Sequence, residues 1–127
     1  MIVALHVATG AAAGAASRSR ITAILLGPLL HLAGDYMPHE DFQSRRFEIG
    51  SGVVALALIA GRRGAFDPAT FGAAACSAPD LEHVLPFLRP GGRKLFHDRL
   101  GWHRSGRFPA LLQLALACAI IGALVRR

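Results

Sequence analysis

The stretch HLAGDYMPHED, residues 31–41, constrains the fold more than any other part of the chain, because it sets two histidines and three acids at the end of an otherwise apolar segment. Such groups are costly to bury unless they pair with one another, bind a metal ion or line a wetted cavity. On a helix, His31 and Asp35 stand four residues apart and share one face. Pro38 then ends the helix, so that His39, Glu40 and Asp41 fan out beyond it. An imidazole and a carboxylate at that spacing can share one divalent ion. The plainer alternative is a water-capped helix end, with His31 hydrogen-bonded inside a core.

The surrounding pattern is one of apolar runs separated by short arginine clusters. Residues 2–17 form the first run, read as a retained first helix, with His6, Gly10 and Gly14 on one stripe facing a partner helix. Residues 21–37 form the second, with Gly27-Pro28 expected to bend it. Residues 47–61 form the third, closed by Arg62 and Arg63. The fourth, residues 66–88, starts with Asp67 as N-cap and Pro68 as first helical residue. Asp80, Glu82 and His83 interrupt it. Ser77 and Asp80 could form a capping box that opens a new helix at Pro79, but this leaves His83 unexplained. Residues 89–107 are a loop carrying His97, Asp98 and His103, and residues 108–125 form the last helix, closed by Arg126 and Arg127.

With 127 residues, a single domain over residues 1–127 is expected. Apolar residues make up 53 % but aromatics only 7 %, and the abundant Ala and Gly favour close-packed helices in lipid. The expected fold class is therefore all-α, a small integral membrane bundle of about five helices, some short or kinked, in a bacterial inner membrane. The expected localisation is multi-pass in the cell membrane, with the lipid bilayer as partner and Trp102 at the interface. The +6 formal charge comes as scattered arginine clusters rather than one basic face, which argues against a nucleic-acid partner. Cys76 and Cys118 lie in apolar runs without paired spacing and read as buried thiols. Five crossing segments would bring all six histidines to one face, opposite Arg18, Arg20, Arg62 and Arg63.

HLAGDYMPHED, APDLEHV and HDRLGWHRS together resemble the membrane-bound metal-dependent hydrolase family, whose members combine an HxxxD helix, a PDxDH element and a paired-histidine element. Here the PDxDH-like block follows HxxxD instead of preceding it, Glu82 stands where that family has Asp, and the HRGxTHS pattern is matched only loosely by residues 97–105. Residues 31–39 are more distantly similar to the helix of zinc-dependent phospholipases C and single-strand nucleases. The resemblance implies metal-ligand roles for His31, Asp35, Asp80 and His83, and for His97 and His103. His6 joins them as a ligand candidate from its place on the same face.

The function expected is metal-assisted hydrolysis of a phosphoester or other ester in a lipid or lipid-linked substrate. One or two divalent ions, zinc foremost, would activate water and polarise the ester. His39, Glu82 or Asp98 would serve as general base; His97 or His103 would protonate the leaving group or complete the metal shell. Arg99 or Arg104 would hold an anionic head group. The alternatives are a membrane metal-handling or transport protein, whose ligands would spread through the depth of the bundle, and a non-catalytic membrane assembly protein. No nucleophilic triad or phosphate-cradling glycine loop is present.

Overall fold

The computed structural model describes residues 1–101 and 103–126. Among them five α-helices follow the apolar runs closely: α1 (Val3–Ser17), α2 (Arg20–Tyr36), α3 (Arg45–Arg63), α4 (Pro68–Ser77) and α5 (Ala110–Val125). The expected interfacial Trp102 and the terminal Arg127 lie outside the described residues.

The first helix is the core around which the others pack, and it touches all four. It is apolar nearly all round, as a central helix must be, with Leu5, Val7, Ala8 and Ala11 buried. The peripheral helices each bury one stripe: Ala23, Gly27, His31 and Asp35 on α2, Gly52, Ala55 and Ile59 on α3, and Ala110, Gln113, Ala117 and Ile121 on α5. These stripes repeat every three or four residues, the helical period. Their larger apolar neighbours point outward, among them Ile21, Leu25 and Leu29 on α2 and Leu111 and Leu112 on α5.

The stripe of small residues on α1 faces α4. A Cβ added at Gly10 would lie 2.3 Å from the Gly72 carbonyl oxygen and 2.4 Å from Cys76 Cβ, and one at Gly14 would lie 2.1 Å from the Pro68 carbonyl oxygen. Only glycine permits these backbones to come so close. At the arginine-bearing end, Arg63 pairs with Asp67 at 3.2 Å and donates to the Leu124 carbonyl.

The expected multi-pass arrangement in a cell membrane does not hold. No helix among the described residues is long and apolar enough to cross a membrane. At 1.5 Å rise per residue, the 16 residues of α5 reach only about 24 Å against roughly 30 Å of hydrocarbon. The 19-residue α3 is longer but contains Arg45, Arg46, Glu48, Arg62 and Arg63. The fourth run also departs from expectation, because its α-helix stops at Ser77 and continues as a 3-10 turn over Ala78–His83. The Ser77 hydroxyl donates back to the Ala73 carbonyl instead of capping a new helix. Asp67 does cap α4, accepting from the Ala69 amide at 2.8 Å. Cys76 is buried as expected, which pushes its thiol up to about 12, but Cys118 is exposed.

If the glycine seam sets the α1–α4 distance, Gly10→Ala will destabilise the protein by about 1–3 kcal/mol through overpacking. Gly50→Ala, whose Cβ meets nothing within 4 Å, will stabilise it by about 0.5–1 kcal/mol through helix propensity. Urea unfolding checks both, and a Gly10→Ala protein as stable as wild type would contradict the seam.

Candidate functional site

Polar side chains gather at the end of the bundle where α1 begins and α2 ends. His6 comes from the second turn of α1, His31 and Asp35 from the last turns of α2, and Asp80 and His83 from the 3-10 turn after α4. His97 comes from a π-helical turn over Leu95–Arg99. The chain after α2 is held by a short pairing with residues 104–108: His39 N–H donates to the Arg104 carbonyl at 3.1 Å, and Gly106 N–H to the His39 carbonyl at 2.8 Å. Gly106 is required there, since an added Cβ would lie 2.1 Å from Pro38 Cβ. Gln113 of α5, fully buried, fastens this corner to α1, accepting from Ile2 N–H at 2.9 Å and donating to the Glu40 and Phe108 carbonyls.

Asp35 stands at the centre and is 1 % exposed. Its Oδ1 lies 2.9 Å from His6 Nε2, and its Oδ2 lies 3.2 Å from His31 Nε2 and 3.0 Å from His97 Nε2. Asp80 Oδ1 lies 3.8 Å from His31 Nε2, 3.6 Å from His97 Nε2 and 3.9 Å from His83 Nε2. His39 Nε2 and His103 Nε2 both face Asp41, at 3.2 and 3.4 Å. The Met1 nitrogen lies 2.6 Å from Asp35 Oδ1 and against His39 Nε2.

Three of the imidazoles share one orientation. His31 Nδ1 lies 2.7 Å from the Cys76 carbonyl, His39 Nδ1 2.6 Å from the Met37 carbonyl, and His97 Nδ1 2.5 Å from Glu82 Oε1. Each acceptor holds the proton on Nδ1 and aims Nε2 at a carboxylate; burial would lower His97, but Asp35 and Glu82 on its two nitrogens hold it above its ordinary range. Glu82, expected as a general base, is committed to this task. Its oxygens also accept from the Leu95, Phe96 and His97 amides, and these bonds hold its carboxyl below the usual range although burial pushes the other way.

Burial sets the charge of the cluster. It holds His6 down at about 3, so the ring is neutral, and its Nδ1 is buried without a hydrogen-bond partner among the described residues. Burial lowers His83 to about 4, helped by the charge of His97, Lys94 and Arg45, and it also lowers His103. It would raise Asp35, but the imidazoles of His31, His6 and His97 reverse this and hold the carboxyl well below its ordinary range. Asp80, buried with less help, rises to about 6.

A cavity of about 460 Å³ opens onto this cluster, lined by Asp35, Asp41, Asp80, His83, His97 and His103 and also by Phe42, Arg45, Glu48 and Lys94. Asp98 reaches the lining but accepts from the Lys94 amide. Arg99 and Arg104, expected to hold an anion, face elsewhere: Arg99 donates to the Pro90 carbonyl, and Arg104 lies over the Tyr36 ring at 4.4 Å. The cations on the cavity are Arg45 and Lys94 instead, neither in an ion pair among the described residues. Glu48 was also not anticipated. Its Oε2 accepts from the Phe42 amide, and burial, with the negative charge of Asp41 and Asp80, raises it to about 7. A lone acid one turn inside an apolar helix was the only sign of it in the sequence.

Four overlapping triads bring one ligand atom per residue within 4.8 Å of one another: His6–His31–Asp80, His31–Asp35–His97, Asp35–His39–His103 and Asp80–His83–His97. Ligands about 2.0–2.1 Å from a tetrahedral ion stand about 3.4 Å apart, so the 3.0–3.8 Å separations around Asp35 and Asp80 fit a common ion. The buried His and Asp clusters could thus hold a metal ion. Comparison with protein-family models, curated proteins and solved structures finds no match to this chain.

Glu48 gives a pH dependence with a definite sign. Its folded value of about 7 lies above its ordinary 4.5, so the folded protein binds the extra proton and the contribution of Glu48 falls as pH rises from 4.5 to 7. In metal-free protein, Glu48→Gln will therefore melt higher than wild type at about pH 8, and the gap will close towards about pH 4.5. A gap that does not change with pH would contradict this burial.

Proposed function

We propose that the protein is a metal-dependent hydrolase acting on an anionic ester. The observation that carries this reading is the shared orientation of His31, His39 and His97, each anchored through Nδ1 with Nε2 turned to a carboxylate, the buried Asp35 for His31 and His97 and the exposed Asp41 for His39. Metal-binding histidines are held in this way, because an anchored Nδ1–H fixes the tautomer and aims the other nitrogen.

His31, His97, Asp35 and Asp80 would hold the ion, with Glu82 steering His97 from behind. When bound, a divalent ion acidifies water and polarises the ester group. Arg45 and Lys94 supply positive charge on the wall of the cavity and would orient an anionic substrate there. Glu48 lines the same cavity and holds a proton near neutral pH, which suits a group that takes a proton from water and returns it to the departing oxygen. In that reaction the water oxygen bonds to the acyl carbon or phosphorus, the ester bond to the alcohol oxygen breaks, and the proton passes through Glu48 to that oxygen. A lipid-linked substrate was expected from a bilayer setting; without spanning helices, the charge of the cavity argues only for an anion.

The transport reading is less well supported, since it needs polar groups along the length of the bundle. The far half of α1 instead buries Ala8, Ala11 and Gly14.

Purified wild-type protein will bind a divalent metal and hydrolyse a chromogenic phosphoester, and chelation will abolish the activity. Glu82→Gln will weaken metal affinity by about 10–100-fold, as loss of an orienting partner does, and His31→Ala or Asp80→Ala will lose both metal and activity. Equal metal content in all four proteins, measured by atomic emission, would remove this reading.

A further inference from the structure

The donors exceed what one ion can use. Asp35 belongs to two of the triads, one with His31 and His97 and the other with His39 and His103. Apart from Asp35 these triads share no residue. Each also has a carboxylate of its own: Asp80 lies 3.8 and 3.6 Å from the Nε2 atoms of His31 and His97, and Asp41 lies 3.2 and 3.4 Å from those of His39 and His103. The cluster therefore repeats one motif twice, two imidazoles and a carboxylate on either side of a common aspartate. We propose that the site takes two divalent cations bridged by Asp35, the second held by His39, His103 and Asp41, and that the pair grips the phosphate group of a phosphoester. This rests on the hydrolase reading above and adds a second ion and a substrate class to it.

The second triad is a built site rather than a surface group of acids. His39 is 1 % exposed, its Nδ1 is taken by the Met37 carbonyl, and its Nε2 is turned into the triad towards Asp41. The Met1 ammonium lies against His39 Nε2 and 2.6 Å from Asp35 Oδ1, so this corner already gathers positive charge between imidazole and carboxylate, and a divalent ion would take the ammonium's place there. His103 packs edge-on against His39, with ring centroids 4.7 Å apart. The pairing of residues 38–40 with residues 104–108 fixes both in place.

Both triads reach the same cavity, since Asp35, Asp41, Asp80, His97 and His103 all line it. Two neighbouring ions joined by one carboxylate suit a tetrahedral phosphate, whose oxygens can contact both at once. Arg45 and Lys94, which line the same cavity, favour an anion over a neutral carboxylic ester.

The test counts ions and then titrates phosphate. Protein loaded with Zn²⁺ and dialysed free of excess will carry two ions per chain, and Asp41→Asn and His103→Ala, each checked for native circular dichroism, will carry one. Inorganic phosphate, followed by calorimetry, will bind the two-ion protein at least tenfold more tightly than either variant. One ion in wild type, unchanged in both variants, would overturn the second site while leaving the first. Two ions in wild type and in both variants would overturn this ligand assignment. Equal phosphate affinity in all three would overturn the substrate class, and no bound ion in wild type would remove both this inference and the reading beneath it.

Discussion

The carboxylate of Asp35 is the point on which this structure depends. It is almost wholly buried, and its two oxygens lie within 3.2 Å of imidazoles from α1, from its own helix and from the π turn after α4. These are segments far apart along the chain, and no apolar contact could specify their meeting so narrowly. Breaking a buried ionic contact by removing one partner commonly costs about 3–5 kcal/mol, so Asp35 is as much a structural pin as a proposed ligand. In the reading proposed here, the folding constraint and the metal constraint are the same constraint.

Glycine at the α1–α4 seam makes that meeting possible. With Gly10 and Gly72 backbone to backbone, and with Gly27 of α2 against Ala75 and the Cys76 amide, the carbonyl of Cys76 comes close enough to accept from His31. The same approach brings the turn that carries Asp80 over the end of α2. Packing at the quiet end of the bundle therefore sets the geometry at the charged end. Glu82 and Gln113 finish the work: one gathers three amides and the ring of His97, and the other ties α5 to the first residues of α1. Neither is free for chemistry, which is what lets the groups they hold be available for it.

The helices were legible because apolar runs end at arginine clusters, at Pro38 and at Asp67-Pro68, and those punctuation marks act locally. The spanning arrangement fails on length and charge, since α5 has 16 residues and the longer α3 carries Arg45, Arg46, Glu48, Arg62 and Arg63. On α2 the inward stripe is Ala23, Gly27, His31 and Asp35, while Ile21, Leu25 and Leu29 face outward. The adjacency of His31 and Asp35 followed from helical spacing alone, and the gathering of the other histidines from the alternation of helices. The roles of Glu48 and Gln113 were not visible, since each depends on how a side chain from one element meets the end of another. Glu82 was legible as a polar group out of place in an apolar run, but its use as an anchor for the turn at residues 95–97 needs the three-dimensional register.

X-ray absorption at the zinc edge of the loaded protein tests the central claim most directly, because it reports which atoms surround the ion. The account predicts a mixed shell of imidazole nitrogen and carboxylate oxygen at about 2.0–2.1 Å, with the multiple-scattering pattern of at least two histidine rings that disappears in Asp35→Ala. A shell of oxygen alone, or one unchanged by removing Asp35, would contradict it.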